Sequence, residues 1–337
     1  YKYDDRVFFD YLTDKGFYIA EKSRSNYSTT FTSLASSLNM EYVNHMAEAL
    51  GPNSKSRTPF YEAIENNKVA RLLKAVGYKF MHFSSGWGAT DRNEYADFDF
   101  HPSVADNEFQ MVLLRATPLA YFRKNVGVMQ ARRRILYTFE KLAEACEISG
   151  PKFIFAHILC PHPPYLFDAD GGIPEWTRLE MDGRAWSKKD LYLDQLVFTQ
   201  KKTQELIDAI LSNSRIAPII ILQADHGTSS IGRPHPPLED TQEVTDMVSE
   251  RLRIFNAYYL PGIESGSLYD SITPINTFRI IFNLYFNQDY ELLEDRSYYS
   301  DYVNPNVLTD VTDRIRDQGE DANPGQLDGD QEGQNGP

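Results

Sequence analysis

The run IAPIIILQADHG, residues 216–227, decides how the fold is read. Nothing polar precedes Gln223, so a strand formed from it is buried on both faces, as parallel strands covered by helices on either side are. It stops at Asp225-His226-Gly227. A carboxylate and an imidazole side by side at a buried strand's end can converge on one divalent ion, and Gly227 gives the backbone freedom to turn there. The plainer reading is that Asp225 caps the following turn and His226 is a hydrogen-bonded loop histidine.

Working outward, KFIFAHILCPHPP (152–164) is a second run of the same kind, an apolar strand to Leu159 ending in Cys160-Pro-His-Pro-Pro. His162 here, and His235 in Pro234-His-Pro-Pro, sit among prolines, which fix φ and restrain the preceding residue. Stiff loops suit an acid/base or a phosphate donor, although either histidine could equally be an ordinary surface residue. His157, inside the apolar run, reads as a core histidine. Helical spacing predicts helices over 5–15, 31–50, 59–75, 128–147, 190–211 and 276–286, with further strands at 16–20, 78–83 and 254–260. Residues 86–108 read as a long loop. Helices alternating with apolar strands predict an α/β fold, three layers α/β/α around a largely parallel sheet, with ligands beyond the strands' carboxyl ends. One domain is expected over 1–312, followed by an acidic tail, 313–337, too poor in hydrophobics to fold alone.

A hydroxyl-dense turn, SNYSTTFTSL (25–34), opens the second helix. A hydroxyl there can be a nucleophile if a metal lowers its pKa and the helix N-terminus stabilises the anion; equally, Ser28, Thr29 or Thr30 can be a cap. The bulk numbers narrow the field. A net charge of −14 and a pI of about 5.0 repel nucleic-acid backbones, so no nucleic-acid partner is expected. An acidic protein that handles an anionic ester needs local positive charge, and a divalent ion supplies it. Two cysteines among 337 residues build neither a disulfide framework nor a thiolate zinc site. No run reaches the roughly 18 apolar residues of a spanning helix.

Together GFYIA (16–20), SNYSTTFTSLASSLN (25–39), His157 through Tyr165, QADHG (223–227) and TPINTFR (273–279) resemble the sulfatase-like branch of the alkaline phosphatase superfamily. Within it they resemble membrane-tethered bacterial members related to lipoteichoic acid synthases and phosphoethanolamine transferases. The resemblance covers most of residues 1–303. It implies an alkaline phosphatase-like fold and a metal-dependent hydrolase or transferase acting on phosphate or sulfate esters, lipid- or glycan-linked ones among them. By resemblance Thr30 is the nucleophile, with Thr29 and Ser28 as alternates. Thr30, Asp225 and His226 are the metal ligands, and His162 and His235 the assisting histidines. The ion is left open among Zn, Mn, Mg and Ca. Formylglycine chemistry is not expected, since neither cysteine lies in a C/S-x-P-x-R pattern.

The resemblance also implies a further metal carboxylate at the end of a strand upstream of the hydroxyl turn. No apolar strand ending in Asp or Glu lies between Tyr1 and Gly16, and Asp4, Asp5 and Asp10 fall on a helical segment. With Tyr1 in place of an initiator Met, the expectation is a piece of a longer precursor that lacks its first strand and binds metal weakly. The parent is expected to be attached to the membrane through the missing segments, on the extracytoplasmic face. Two rivals stand beside the two-step Thr30 mechanism: a one-step phosphodiesterase in which Thr30 only caps its helix, and a non-catalytic binding or scaffold domain.

Overall fold

A computed structural model describes residues 3–102, 123–175, 177, 188–230, 237–263, 265–301 and 303–316. The elements run α1 (Arg6–Asp14), β1 (Tyr18–Ile19), α2 (Thr30–Asn39), α3 (Asn44–Leu50), α4 (Thr58–Glu65), α5 (Lys68–Ala75), β2 (Lys79–Phe83) and β3 (Phe98–Phe100). They continue with α6 (Arg123–Ala145), β4 (Lys152–Ala156), α7 (Lys189–Asn213), β5 (Ile220–Gln223), α8 (Gln242–Leu252), β6 (Asn256–Tyr259), α9 (Pro274–Phe286), β7 (Tyr298–Tyr299), β8 (Thr309–Asp310) and α10 (Thr312–Arg316).

The chain is a mixed α/β protein whose parallel sheet, in the order β3-β2-β4, is flanked by helices. Its register pairs His82 with both Asp99 and Phe155, and Phe83 with both Phe100 and Ala156. A second sheet, β1-β6-β5, is antiparallel. Alternation of helix and strand announces the parallel half. It does not announce that β5 and β6, with α8 between them, pair antiparallel, because alternation carries no information on strand direction. β5 is shorter than its apolar run: Pro218 has no N–H to give to a ladder, and the strand begins at Ile220.

Two helices expected to be continuous are each broken in two. After α2, Met40 adopts a left-handed conformation (φ 59°), and its carbonyl accepts from Arg279 Nε (2.9 Å) and Nη2 (2.6 Å). Between α4 and α5, the Asn67 side chain caps Ala70 N at 2.8 Å, so α5 starts afresh. The expected loop at 86–108 holds β3, and α8 was not foreseen. The folded part also runs to Arg316, where Ile315 packs on Val248 and Leu252; residues 317–337 lie outside the described residues.

The core is divided among helix–sheet contacts. α2 is buried along nearly its whole length and meets α4 through Phe31 and Phe60, whose rings stand 5.3 Å apart. This immobilises the helix whose first residue is Thr30. In the parallel sheet His82, 1% exposed, pairs with Asp99 at 2.7 Å. Burial, opposed by Asp99, holds the imidazole below its ordinary pKa. A ring neutral when folded but titrating near about 6.5 when unfolded takes up its proton only on unfolding, so stability is lost as pH falls below that value. The fall in Tm between pH 7 and pH 5 should therefore be smaller in His82→Gln than in the natural sequence. An equal or steeper fall in the variant would refute this assignment.

Candidate active site

The first turn of α2 presents its three hydroxyls differently. Ser28 Oγ is buried and accepts from Ser300 N at 3.1 Å. Thr29 Oγ1 lies 2.7 Å from Thr32 Oγ1. Only Thr30 Oγ1 reaches across to the strand-end turn, 3.0 Å from His226 Nε2. It also hydrogen-bonds the Asp225 carboxylate, and Asp225 Oδ2 is itself 3.3 Å from His226 Nε2. Residues 196 apart in sequence thus share one point, at the start of a helix where backbone N–H groups lack partners.

Three groups stitch the two turns together. Ser33 Oγ donates to Asp225 O at 2.6 Å, and Ser25 Oγ lies 2.5 Å from the same carbonyl. Arg251, on α8 and 7% exposed, donates from Nε to Ser28 O (2.8 Å) and from Nη1 to Gly227 O (3.0 Å). Its Nη2 stands 3.0 Å from His226 Nε2. A guanidinium can only donate, so His226 Nε2 accepts and the ring proton is on Nδ1, facing Gly227 O at 2.9 Å. The lone pair of Nε2 therefore points into the cluster. Gly227 is needed here for space, and its φ lies outside the left-handed region. A Cβ there would overlap the carbonyl oxygens of Glu250 and Arg253 and stand 3.2 Å from Arg251 O. The glycine lets the turn lie against the end of α8, where Gly227 N donates to Arg251 O at 2.7 Å.

Electrostatics follow from this packing. Burial alone would raise the Asp225 carboxyl, but the Thr30 hydroxyl and the Arg251 guanidinium beside it hold it ionised, below the usual carboxylate range. Burial, with Arg251 beside it, keeps His226 neutral against the pull of Asp225. Ionised carboxylate, neutral imidazole and hydroxyl are the protonation states of metal ligands.

Beyond the end of β4 at Ala156, His157 is kept neutral by burial, and its Nδ1 lies 2.8 Å from Thr90 Oγ1. Trp87 meets its ring edge-on at 5.8 Å. His162 is within electrostatic reach of Arg251, Asp225 and His157, and burial keeps it neutral. Its loop is pinned by the fully buried Gln195 of α7, which donates to His162 O (3.1 Å) and accepts from Leu166 N (2.6 Å). Thr30, Asp225 and His226 therefore meet at one point, and His162 lies within electrostatic reach of Asp225, whereas His235 lies outside the described residues. Burial pushes the Cys160 thiol up to about 12, which leaves it no thiolate character at neutral pH.

Among the described residues, no group of three or more His, Cys, Asp or Glu side chains is arranged to hold a metal ion. The donors present are two such groups and a hydroxyl. Their spacings of 3.0 and 3.3 Å still suit a common ion, since arms of about 2.0–2.2 Å at tetrahedral or octahedral angles give edges of roughly 2.8–3.6 Å. Thr30 Oγ1, Asp225 Oδ2 and His226 Nε2 are donors of the chemistry that a divalent cation takes, as an incomplete set, and an ion on Nε2 would have to displace the Arg251 N–H that this lone pair accepts.

No family model matches the chain, and no curated protein does. Solved structures do. The C-terminal periplasmic domain of phosphoethanolamine transferase EptC from Campylobacter jejuni superposes with a TM-score of 0.52 at 14% identity, over 87% of this chain and 85% of that one. The corresponding EcEptC domain from Escherichia coli, in complex with Zn, gives 0.54 at 13% identity, over 92% and 86%. A candidate sulfatase from Bacteroides thetaiotaomicron gives 0.50 at 13%, over 88% and 68%. At such identity the likeness is one of fold: this chain folds as these phosphoethanolamine transferase and sulfatase domains do. Among the described residues, no helix is long and apolar enough to cross a membrane.

Proposed function

We propose that this chain transfers a phosphoryl or sulfuryl group from an ester through Thr30, with Thr30, Asp225 and His226 holding a divalent metal. The observation that carries the reading is the 3.0 Å approach of Thr30 Oγ1 to His226 Nε2, across 196 residues. A capping threonine would turn its hydroxyl to its own helix; this one faces the Asp225-His226 turn, and Thr29 occupies the cap position. When bound, a divalent ion would lower the hydroxyl's pKa and offset charge on the transferred group. As a bond from Oγ1 to phosphorus or sulfur forms and the bond to the leaving alcohol breaks, the Thr30 proton passes by way of His162, neutral and within reach of Asp225, to the leaving oxygen. The N-terminus of α2 stabilises the oxyanion, and water or an acceptor alcohol then releases the group from Thr30.

The periplasmic neighbours and the Zn complex support an extracytoplasmic setting and a transition metal. A lipid- or glycan-linked ester is the substrate class in keeping with that setting. The test is to incubate the protein with an aryl phosphodiester or an aryl sulfate and added Mn or Zn, quench in acid, and map modified peptides by mass spectrometry. A phospho- or sulfo-ester at Thr30, absent after chelation, is expected. Turnover without any modified Thr30 would favour direct attack by water, and no turnover on any ester would favour a binding domain.

A further inference from the structure

Arg134, on α6, is half-buried, yet no hydrogen bond or ion pair to its guanidinium occurs among the described residues; its Nε is buried without a partner. Its neighbour shows the ordinary alternative. Arg132 spends its guanidinium on the carbonyls of Leu166, Gly171 and Gly172 and stacks on Phe167 at 4.2 Å. Burying part of a charged group without a partner is costly. In a chain of net charge −14 carboxylates are plentiful, and none of those described is placed against Arg134.

The surroundings are built to hold this side chain where it is. The guanidinium lies on Gly86, at which a Cβ would overlap Nη1 and Cζ and stand 3.0 Å from Nε. Gly86 has φ +76°, a left-handed value that side chains disfavour, and is itself exposed, so the cradle opens to solvent. The loop carrying it follows the carboxyl end of β2 and is braced by Ser85 Oγ on Thr90 Oγ1 (2.7 Å) and by Trp87 N on Ser85 Oγ (2.9 Å). The same Thr90 and Trp87 contact His157, which ties the cradle to the wall of the cleft.

We propose that Arg134 in its Gly86 cradle is an anion subsite, taking a second phosphate or sulfate group of the substrate, remote from the ester attacked at Thr30. A guanidinium presents two parallel N–H donors that match a tetrahedral oxyanion. The substrate is thereby defined as polyanionic, with one ester at Thr30 and a further oxyanion beyond His157. The proposal rests on the foregoing reading for the ester at Thr30, but its test involves no turnover, so the two can fail separately.

The test is calorimetric titration of the metal-free protein with inorganic phosphate and, separately, inorganic sulfate, with Trp87 fluorescence as a second readout. Saturable binding is expected, with a Kd on the order of 1 mM. Arg134→Gln should weaken it by about 10-fold or more, and Arg134→Lys, which keeps the charge but not the fork, by a few-fold. Gly86→Ala, which displaces the guanidinium without removing it, should weaken binding as well and keeps the proposal testable should Arg134→Gln fold poorly. Thr30→Ala should leave the affinity within about two-fold, because the anion sits elsewhere. The anion that binds more tightly names the group the substrate carries. Absence of saturable binding, unchanged affinity in Arg134→Gln or Gly86→Ala, or loss confined to Thr30→Ala would overturn the proposal.

Discussion

Replacing Thr30 with alanine should lower turnover of an aryl phosphodiester or sulfate on the order of 10⁴-fold, as deleting a covalent nucleophile does in other group-transfer enzymes. The fold should survive. Thr30 is half-buried at the first position of α2, and the helix is anchored by Phe31, Leu34, Ala35 and Leu38, all buried and untouched by the change. The one interaction lost in the cluster is its bond towards His226 and Asp225, worth about 1 kcal/mol. Thr30→Ser is the informative partner, because it restores the hydroxyl and removes only the methyl. It should recover part of the rate and bring back the covalent ester, whereas Thr29→Ala and Ser28→Ala should not abolish either. Thr29 faces Thr32 and Ser28 faces Ser300, so neither hydroxyl can replace Thr30. Full activity in Thr30→Ala with the Asp225-His226 turn intact would reduce Thr30 to a helix residue and leave direct attack by water as the mechanism.

The parts of this arrangement that were legible in the sequence are those written in local pattern. The apolar runs at 152–159 and 216–224 mark strands β4 and β5, and Asp225-His226 is marked by its place at the end of one of them. Thr30 could be narrowed from three hydroxyls only by resemblance; the sequence has no way to say that Ser28 would turn to Ser300, 272 residues away. Arg251 was invisible for a different reason. Its helix repeats Val244, Val248 and Leu252 on one face, behind a Thr241 cap that accepts from Val244 N, so the element could have been read. Nothing in that pattern reveals that a guanidinium at the helix end crosses to Ser28 O and Gly227 O. His157, read as a core histidine from its apolar run, sits one residue past the end of the ladder at Ala156; it is buried and partnered by Thr90, a partner that no local pattern names. Arg134 left no signal, since an unpaired cation looks like any other surface arginine in a sequence.

Gly227→Ala should be the most damaging single change outside the reacting groups. A glycine after Asp-His suggests freedom for the backbone to turn, but its φ lies outside the left-handed region, and the constraint is steric. The added methyl would overlap the Glu250 and Arg253 carbonyl oxygens at the end of α8. Those are backbone atoms, which cannot swing aside as a long side chain can. Relief requires the 225–227 turn to back away from α8, stretching Gly227 N to Arg251 O (2.7 Å) and Arg251 Nη1 to Gly227 O (3.0 Å). Overpacking of this kind costs roughly 3 kcal/mol. The functional loss should exceed what stability explains, because Asp225 and His226 ride on the displaced turn and a shift of about 1 Å costs on the order of 10²-fold in rate. Calorimetric Tm, Zn affinity and turnover should all fall, with Zn affinity reduced even well below the transition temperature. Arg251→Met should reproduce the loosened turn without the steric clash, giving a milder loss of Tm. If Gly227→Ala kept wild-type Tm and Zn affinity, the turn would not be held against α8 as described, and the placement of Asp225 beside Thr30 would have to be abandoned.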